Sequence, residues 1–210
     1  MKKSTTSKIS FAKYVRYALG AAVICLTGFT GIGLAHNSNR ITASGDADIK
    51  VLGTSNLHNW SMEAKDISCS AKFNFTAGSS SLPQSLVSFT LSVPVQNLKS
   101  GESSMDSRAY TALKAKTYKD IVFVLTSSTI VPGQKDHFLV KSKGDLSIAG
   151  VTQPVVLEVN CLVGPEGNIT CSGSEKLKMT DYQIKPPSFM LGALKTGNDL
   201  TINFTLVVKR

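Results

Sequence analysis

From Ile41 onward, apolar and polar residues alternate one by one along much of the chain. Residues 67–75 and 200–208 show the pattern most clearly. A two-residue period places successive side chains on opposite faces of a strand, so these runs predict strands with one buried face. Parallel strands are usually apolar on both faces, and the pattern therefore favours antiparallel pairing. The sequence predicts an all-β domain.

Turn-forming residues divide the alternating region into separate strands. Stretches rich in glycine, proline and serine, such as residues 77–81, 132–134 and 164–168, mark the turns. Pro94, inside a strand pattern, predicts an edge, a bulge or the last turn of its strand. The predicted strands cover residues 46–52, 59–64, 67–75, 89–95, 121–125, 138–148, 155–162, 169–179 and 200–208.

Residues 103–116 break the alternation, because they lack glycine and proline and are rich in helix-forming residues. Ser103 or Ser104 can cap the N-terminus of a helix here. We therefore predict one short helix, laid across an opening of the sheet. Its apolar stripe consists of Met105, Ala109, Ala112 and Leu113.

These elements leave two architectures open. An open sandwich has exposed strand edges, whereas a closed antiparallel barrel has none. A barrel of about 8 strands encloses enough space for one small ligand. The alternation alone does not decide between the two.

The first 35 residues predict export. Residues 1–16 carry five basic residues and no acidic one, and residues 17–35 are apolar and end in small residues. This pattern predicts a signal peptide over residues 1–35, cleaved after Ala35. The alternative is an uncleaved anchor, because the apolar stretch approaches the ~20 residues that span a bilayer. Cleavage would place the domain of residues 36–210 in the periplasm or outside the cell.

Charge and sequence motifs exclude several functions. The full chain has 23 Lys and Arg against 14 Asp and Glu, and its net charge is +9. The leader holds five of those bases and no acid, so residues 36–210 carry only +4. That charge is too small to predict a nucleic-acid partner, and no arginine-rich patch with interleaved aromatic residues occurs. Motifs for a serine-hydrolase elbow, a phosphate-binding loop or a zinc protease do not occur, so we predict no enzyme.

Three cysteines follow the leader, and an exported protein favours bridging a close pair. Cys161 and Cys171 lie symmetrically about the turn at residues 164–168, so a hairpin would place them opposite each other. The alternative is three buried free thiols, because cysteine often acts as a small core residue. The three histidines are scattered and no Cys-x-x-Cys occurs, so we expect no metal site.

Four motifs, taken together, resemble the YceI-like family. They are GTSNLHNW (residues 53–60), MDSRAY (105–110) leading through Leu113 into residues 118–123, GDLSIAGVTQPV (144–155) and DYQI (181–184). They occur in the family's order and cover residues 41–210. The chain departs from the family at the helix start, where many members have Arg-Asp-x-His and this chain has MDSR.

The resemblance implies both a fold and a function. The fold is a closed, eight-stranded, lipocalin-like antiparallel barrel in exported bacterial proteins, with the helix region over the ligand and the DYQI motif on a late strand. Family members with a known ligand hold a long isoprenoid or fatty-acyl-type chain. The implied function is a non-enzymatic binding protein whose partner is a lipophilic small molecule, with no cofactor other than that chain.

An internal site for an alkyl or prenyl chain needs an apolar wall with few charges. The same side chains would form an ordinary core if the barrel were filled, and only an unfilled interior separates the two interpretations. The predicted cavity wall consists of Trp60, Phe73, Phe75, Phe89, Leu91, Phe123, Leu125, Leu146, Leu157 and Phe204.

The predicted mouth of the cavity includes groups able to meet a ligand head group: His58, Tyr110, Phe189 and Met190. His58 can equally be structural, and Trp60 can either roof the cavity or plug the barrel. Residues 186–194 form an apolar loop, which can pack under the rim or contact a membrane transiently.

Two other functions stay open from the sequence. One is an interaction or structural module acting through the barrel exterior and residues 186–194, without an internal ligand. The other is a hydrolase or isomerase in which His58 pairs with a carboxylate. The oligomeric state is not predicted, and a homodimer is compatible with the sequence.

Overall fold

The computed structural model describes residues 38–76 and 82–209, without the side chains of residues 38–44, Asp66, Thr76 and Met190. The predicted signal peptide and the cleavage site after Ala35 lie outside the described residues. The helix α1 spans Ser103–Ala112. The strands are β1 (Ser38–Ser55), β2 (Asn59–Thr76), β3 (Pro83–Pro94), β4 (Asp120–Pro132), β5 (His137–Ile148), β6 (Val151–Val163), β7 (Ile169–Lys178), β8 (Ser188–Phe189) and β9 (Leu194–Val208).

Eight of these strands close an antiparallel barrel. Each strand from β1 to β7 pairs with the next, β7 pairs with β9, and β9 pairs back with β1. The two-residue strand β8 pairs with β9 at one end of the barrel. The predicted closed barrel is therefore confirmed, and the open sandwich is wrong. Pro94 is the last residue of β3, one of the positions that its sequence pattern allowed.

One β-bulge explains why the sequence predicted two strands where β2 is continuous. Ala47 pairs with Ile67, but Ile49 pairs with Ala64, so two residues of β2 oppose the single Asp48 of β1. A bulge of this kind shifts the side-chain phase by one residue. The apolar residues of β2 have even residue numbers before the bulge and odd ones after it. The alternation is therefore interrupted, although the strand is continuous.

We call the barrel end that carries α1, the β1–β2 and β5–β6 turns and residues 179–194 the mouth, and the opposite end the base. The β5–β6 turn is a two-residue loop, Ala149–Gly150, in which both residues have positive φ (51° and 85°). Two-residue hairpins favour this geometry because its twist matches that of the strands.

The helix α1 begins at Ser103, as predicted, but ends at Ala112 and not at residue 116, and its N-cap differs from the prediction. Its N-cap residue is Glu102, which makes no side-chain capping bond, so the predicted Ser103 or Ser104 cap is wrong. Instead, the Asp106 carboxylate accepts hydrogen bonds from the backbone N–H and the hydroxyl of Ser100, at 2.8 and 2.7 Å. These bonds hold the pKa of Asp106 below its usual value. The predicted apolar stripe packs against the core.

The seam between β6 and β7 is short. It consists of four paired positions at the base, where residues 160–163 of β6 pair with residues 169–172 of β7. Toward the mouth the two strands are unpaired, and the 3-10 turn Met179–Tyr182 packs there in one buried cluster with Val155 of β6 and Leu177 of β7. The DYQI motif is therefore not a strand, because residues 179–182 form this turn and Gln183 has a left-handed conformation.

Candidate functional site

Two neighbouring cavities lie along the inside of the barrel. The inner cavity has a volume of about 160 Å³ and an entirely apolar exposed wall. The mouth cavity has a volume of about 230 Å³ and lies between the barrel end, α1 and residues 179–194. A cavity of ~150 Å³ with apolar walls holds one benzene molecule, so the interior is far from filled. Six side chains border both cavities: Val51, Leu98, Ile121, Ile148, Leu177 and Ile202.

Two aromatic rings lie flat on the inner wall, and this leaves the centre open. The ring of Phe123 rests on Gly144 of the neighbouring strand, where a β-carbon would overlap it. Phe204 rests in the same way on Gly173, its direct cross-strand partner. Because each ring extends sideways over a residue without a side chain, it does not project toward the barrel axis.

Nine of the ten predicted wall residues border a cavity. Trp60 borders the mouth cavity. Phe75 is the exception: it is only 5% exposed and packs near Phe73 with ring centroids 6.4 Å apart. It faces inward at the base end of β2, beyond the open space, and is an ordinary core residue. The eight that border the inner cavity are Phe73, Phe89, Leu91, Phe123, Leu125, Leu146, Leu157 and Phe204.

One acidic residue of the inner wall was not among the residues predicted from the sequence. Glu175 borders the inner cavity, because the inward face of β7 runs through Cys171, Gly173, Glu175 and Leu177. Burial raises the pKa of its carboxyl. The strand alternation contained this signal, since a charged residue occupies a position in phase with buried ones.

The turn between β1 and β2 holds Trp60 and His58 at the mouth. The Trp60 indole N–H donates to the carbonyl oxygen of Thr54 at 3.0 Å, and its ring borders the cavity. His58 also borders the mouth cavity and is exposed, with Nδ1 2.8 Å from the carbonyl oxygen of Asn59. Among the described residues, the His58 ring makes its hydrogen bond with a backbone carbonyl and not with a carboxylate.

Tyr110, predicted at the mouth, borders neither cavity. Its hydroxyl lies 3.0 Å from the carbonyl oxygen of Gln96 and 2.9 Å from that of Leu98, and it accepts a hydrogen bond from Lys99 Nζ at 2.9 Å. These contacts fasten α1 to the segment that follows β3. Tyr110 is therefore a structural anchor of the helix, and its hydroxyl is already used by backbone groups.

A cation–π contact links α1 to β8 at the mouth cavity. The guanidinium of Arg108 on α1 lies 4.4 Å from the centroid of the Phe189 ring on β8. Arg108 Nε also donates to the carbonyl oxygen of Ser104 at 2.9 Å, and both Arg108 and Phe189 border the cavity. The sequence signal for Arg108 is its departure from the histidine that many family members have there. The predicted side chain of Met190 lies outside the described residues.

The most deeply buried polar group at the mouth is Tyr182. The residue is 2% exposed, borders the mouth cavity, and its hydroxyl has no hydrogen-bond partner within the described chain. Burial, together with the nearby carboxylates of Asp181 and Glu175, raises the pKa of Tyr182 to about 12. The hydroxyl therefore keeps its proton and is a donor at neutral pH.

Two exposed leucines flank the mouth. Leu57, at the tip of the β1–β2 turn, is 71% exposed, and Leu191, between β8 and β9, is 110% exposed. The two segments are joined by Asn56, whose side chain donates to the carbonyl oxygen of Ala193 and accepts from the N–H of Lys195, both at 2.8 Å. Residues 186–194 therefore include an exposed apolar side chain as well as packed ones.

Cys161 and Cys171 form a disulfide between directly paired positions of β6 and β7, with Cα atoms 4.1 Å apart. Both residues border the inner cavity. Cys69 is buried without a disulfide, and burial raises the pKa of its thiol.

Residues 38–76 and 82–209 contain no group of three or more potential metal ligands. Within the same residues, no helix is long and apolar enough to cross a membrane.

The closed eight-stranded antiparallel barrel with an internal apolar cavity and one covering helix defines the lipocalin-like class of folds. Residues 42–208 match the YceI-like domain, and the chain belongs to this family. No curated protein matches the chain.

Solved structures with low sequence identity share the fold. Burkholderia cenocepacia BcnA superposes with a TM-score of 0.58 at 18% identity, covering 77% of this chain and 95% of that protein. A polyisoprenoid binding domain from Saccharophagus degradans gives 0.60 at 12% identity, covering 80% and 99%. The Campylobacter jejuni YceI protein gives 0.51 at 19%, covering 68% and 81%.

Proposed function

We propose that this protein is an exported, non-enzymatic binding protein that holds a long apolar chain, of isoprenoid or fatty-acyl type, inside its barrel. The observation that carries the proposal is the inner cavity, whose exposed wall is apolar and which shares six wall residues with a second cavity at the mouth. A chain that enters between α1 and β8 can continue from one cavity into the other.

The energetics of such a site need no specific polar contact. Each buried methylene contributes ~0.8 kcal/mol, so ten methylenes would contribute about 8 kcal/mol before the cost of immobilising the ligand. The domain from Saccharophagus degradans is described as polyisoprenoid-binding, which supports the same class of ligand here. Pockets for drug-sized ligands have volumes of ~300–1,000 Å³, and the two cavities together reach the lower end of that range.

Two observations support export and a non-catalytic role. The Cys161–Cys171 disulfide fits an oxidising compartment, as the predicted leader does. The hydrolase or isomerase alternative predicts a buried polar pair such as His58 with a carboxylate, but His58 is exposed and the described hydrogen bond of its ring is to a backbone carbonyl.

We further propose that the mouth contacts a membrane transiently through Leu57 and Leu191. Both side chains are exposed at the end of the barrel where the mouth cavity lies. Leu191 has a left-handed backbone (φ 58°), which is costly for a residue other than glycine and is often maintained at functional positions. Contact there would let a lipid chain pass into the cavity without crossing water.

A cavity-filling substitution tests the binding proposal. Ala71 is buried and borders the inner cavity, and a phenyl ring at this position has the size that a ~150 Å³ void accommodates. Ala71→Phe should abolish the uptake of an isoprenoid alcohol and of a saturated fatty alcohol. Ser70→Phe, one residue away on the exposed face, is the matched control and should bind normally.

Native mass spectrometry of the mature protein, purified from its own host, is the measurement. We expect a bound mass of lipid size in the wild type and in Ser70→Phe, and none in Ala71→Phe. If the wild type carries no such mass and takes up neither alcohol, the interior is not a binding site, and the interaction-module alternative through residues 186–194 gains support.

A further inference from the structure

The Tyr182 hydroxyl is an exception among the polar groups of the barrel interior. Two buried side-chain polar atoms of the described chain lack a hydrogen-bond partner, Asn74 Oδ1 and the Tyr182 hydroxyl, and Tyr182 is the one that borders a cavity. Ser142 borders the inner cavity, but its hydroxyl already lies 3.4 Å from the carbonyl oxygen of Leu157. An unsatisfied buried hydroxyl destabilises a fold.

We propose that the Tyr182 hydroxyl is the hydrogen-bonding point of the cavity, and that the ligand carries an uncharged oxygen acceptor on its apolar chain. A carbonyl, ester or hydroxyl oxygen has the required chemistry. This inference rests on the proposed function and specifies its ligand: an unfunctionalised hydrocarbon would leave the hydroxyl without a partner, whereas a chain with an oxygen acceptor would satisfy it.

The surrounding charges select against a charged acceptor. The carboxylates of Asp181 and Glu175 both act on Tyr182, and Glu175 borders the inner cavity. A negative head group next to the hydroxyl would be repelled by both. Arg108 and Lys178 border the mouth cavity but are exposed, so solvent and salt screen their attraction.

The position of Tyr182 also suits an internal acceptor. It belongs to the turn that packs between the unpaired parts of β6 and β7, in the same cluster as Leu177, which borders both cavities. An oxygen bonded to Tyr182 therefore lies near the junction of the two cavities. The hydroxyl itself is shielded from solvent by the surrounding side chains, so the ligand must displace apolar wall atoms to reach it.

The test compares ligands and variants in one cycle. The ligands are an alkane, a methyl ketone and a carboxylate with the same saturated chain, each competing with a fluorescent apolar probe on delipidated mature protein. Tyr182→Phe should weaken the ketone relative to the alkane by about three- to tenfold, which corresponds to one hydrogen bond. Tyr110→Phe is the matched control, since it removes a hydroxyl that borders neither cavity. In this variant the ratio of ketone affinity to alkane affinity should stay at the wild-type value.

Each other outcome has a definite meaning. The inference is overturned if the ratio of ketone affinity to alkane affinity is the same in Tyr182→Phe and wild type. It is also overturned if Tyr182→Phe weakens carboxylate binding as much as ketone binding. A wild type that binds neither alkane nor ketone overturns the proposed function itself. In the ligand-free state, Tyr182→Phe should melt at the same or a higher temperature than wild type. A decrease like that of Tyr110→Phe would mean that the hydroxyl already has a partner, and would also overturn the inference.

Discussion

Removing the Cys161–Cys171 disulfide should open the barrel at one particular seam. The bridge links positions ten residues apart, and it lies within the four pairs that join β6 to β7. Loop-closure entropy for a 15-residue loop gives about 3 kcal/mol, so this shorter loop should contribute slightly less, about 2.5–3 kcal/mol. The double variant Cys161→Ala/Cys171→Ala should lose that much free energy of unfolding.

The location of the loss tests the reasoning more strictly than its size. Toward the mouth, β6 and β7 are unpaired, so without the covalent link the strands are joined only by four backbone pairs at the base. Hydrogen exchange should therefore accelerate in residues 160–163 and 169–172 before it does in the β1–β2 pair. Urea denaturation gives the free energy, and exchange mass spectrometry gives the location.

The control for this experiment is Cys69→Ala, which removes a buried thiol that forms no disulfide. It should cost only the packing of one sulfur atom, and it should not change exchange at the β6–β7 seam. The reasoning is refuted if the double variant loses no more stability than Cys69→Ala, or if its faster exchange is uniform along the barrel.

Three further predictions concern the site. Burial raises the pKa of the Glu175 carboxyl, so folding favours its protonated form and its charged form weakens the fold. Glu175→Gln should therefore raise the melting temperature at pH 7, and the gain should vanish below the ordinary carboxyl pKa of 4.5. Arg108→Ala removes the contact with Phe189, which contributes about 0.5–1 kcal/mol. Ligand exchange, measured by stopped-flow fluorescence, should therefore be about two- to fivefold faster, and Arg108→Lys should have an intermediate rate. Leu191→Asn, which tolerates the left-handed backbone, should reduce sedimentation with lipid vesicles without lowering stability, and unchanged sedimentation would contradict the membrane contact.

Much of the fold could be predicted from the sequence because strand alternation is a local property. The alternation located the barrel strands, but the bulge opposite Asp48 made β2 look like two strands. A bulge depends on the register between two strands, and one strand's sequence does not contain it. The helix cap was missed for a similar reason, since Asp106 bonds to Ser100 outside the helix.

The site was predictable where it follows from the inward face of a strand. Phe123 and Phe204 were predicted in the cavity wall and lie there. Phe75 also points to the inside of the barrel, but it lies beyond the end of the inner cavity. The alternation along a strand determines whether a side chain points into or out of the barrel, but it does not give the position of that side chain along the barrel axis. Tyr182 lies in a turn without strand alternation, so its burial depends on the unpaired part of the β6–β7 seam.

The glycines beneath the two wall rings have a consequence for the width of the tunnel. Adding one methyl group at residue 144 or 173 would tilt a phenyl ring toward the axis, so a single small substitution can narrow the bore without changing any aromatic residue. The calibre of such a barrel is therefore controlled by its smallest side chains. Counting large apolar residues is a poor guide to how much room the interior offers.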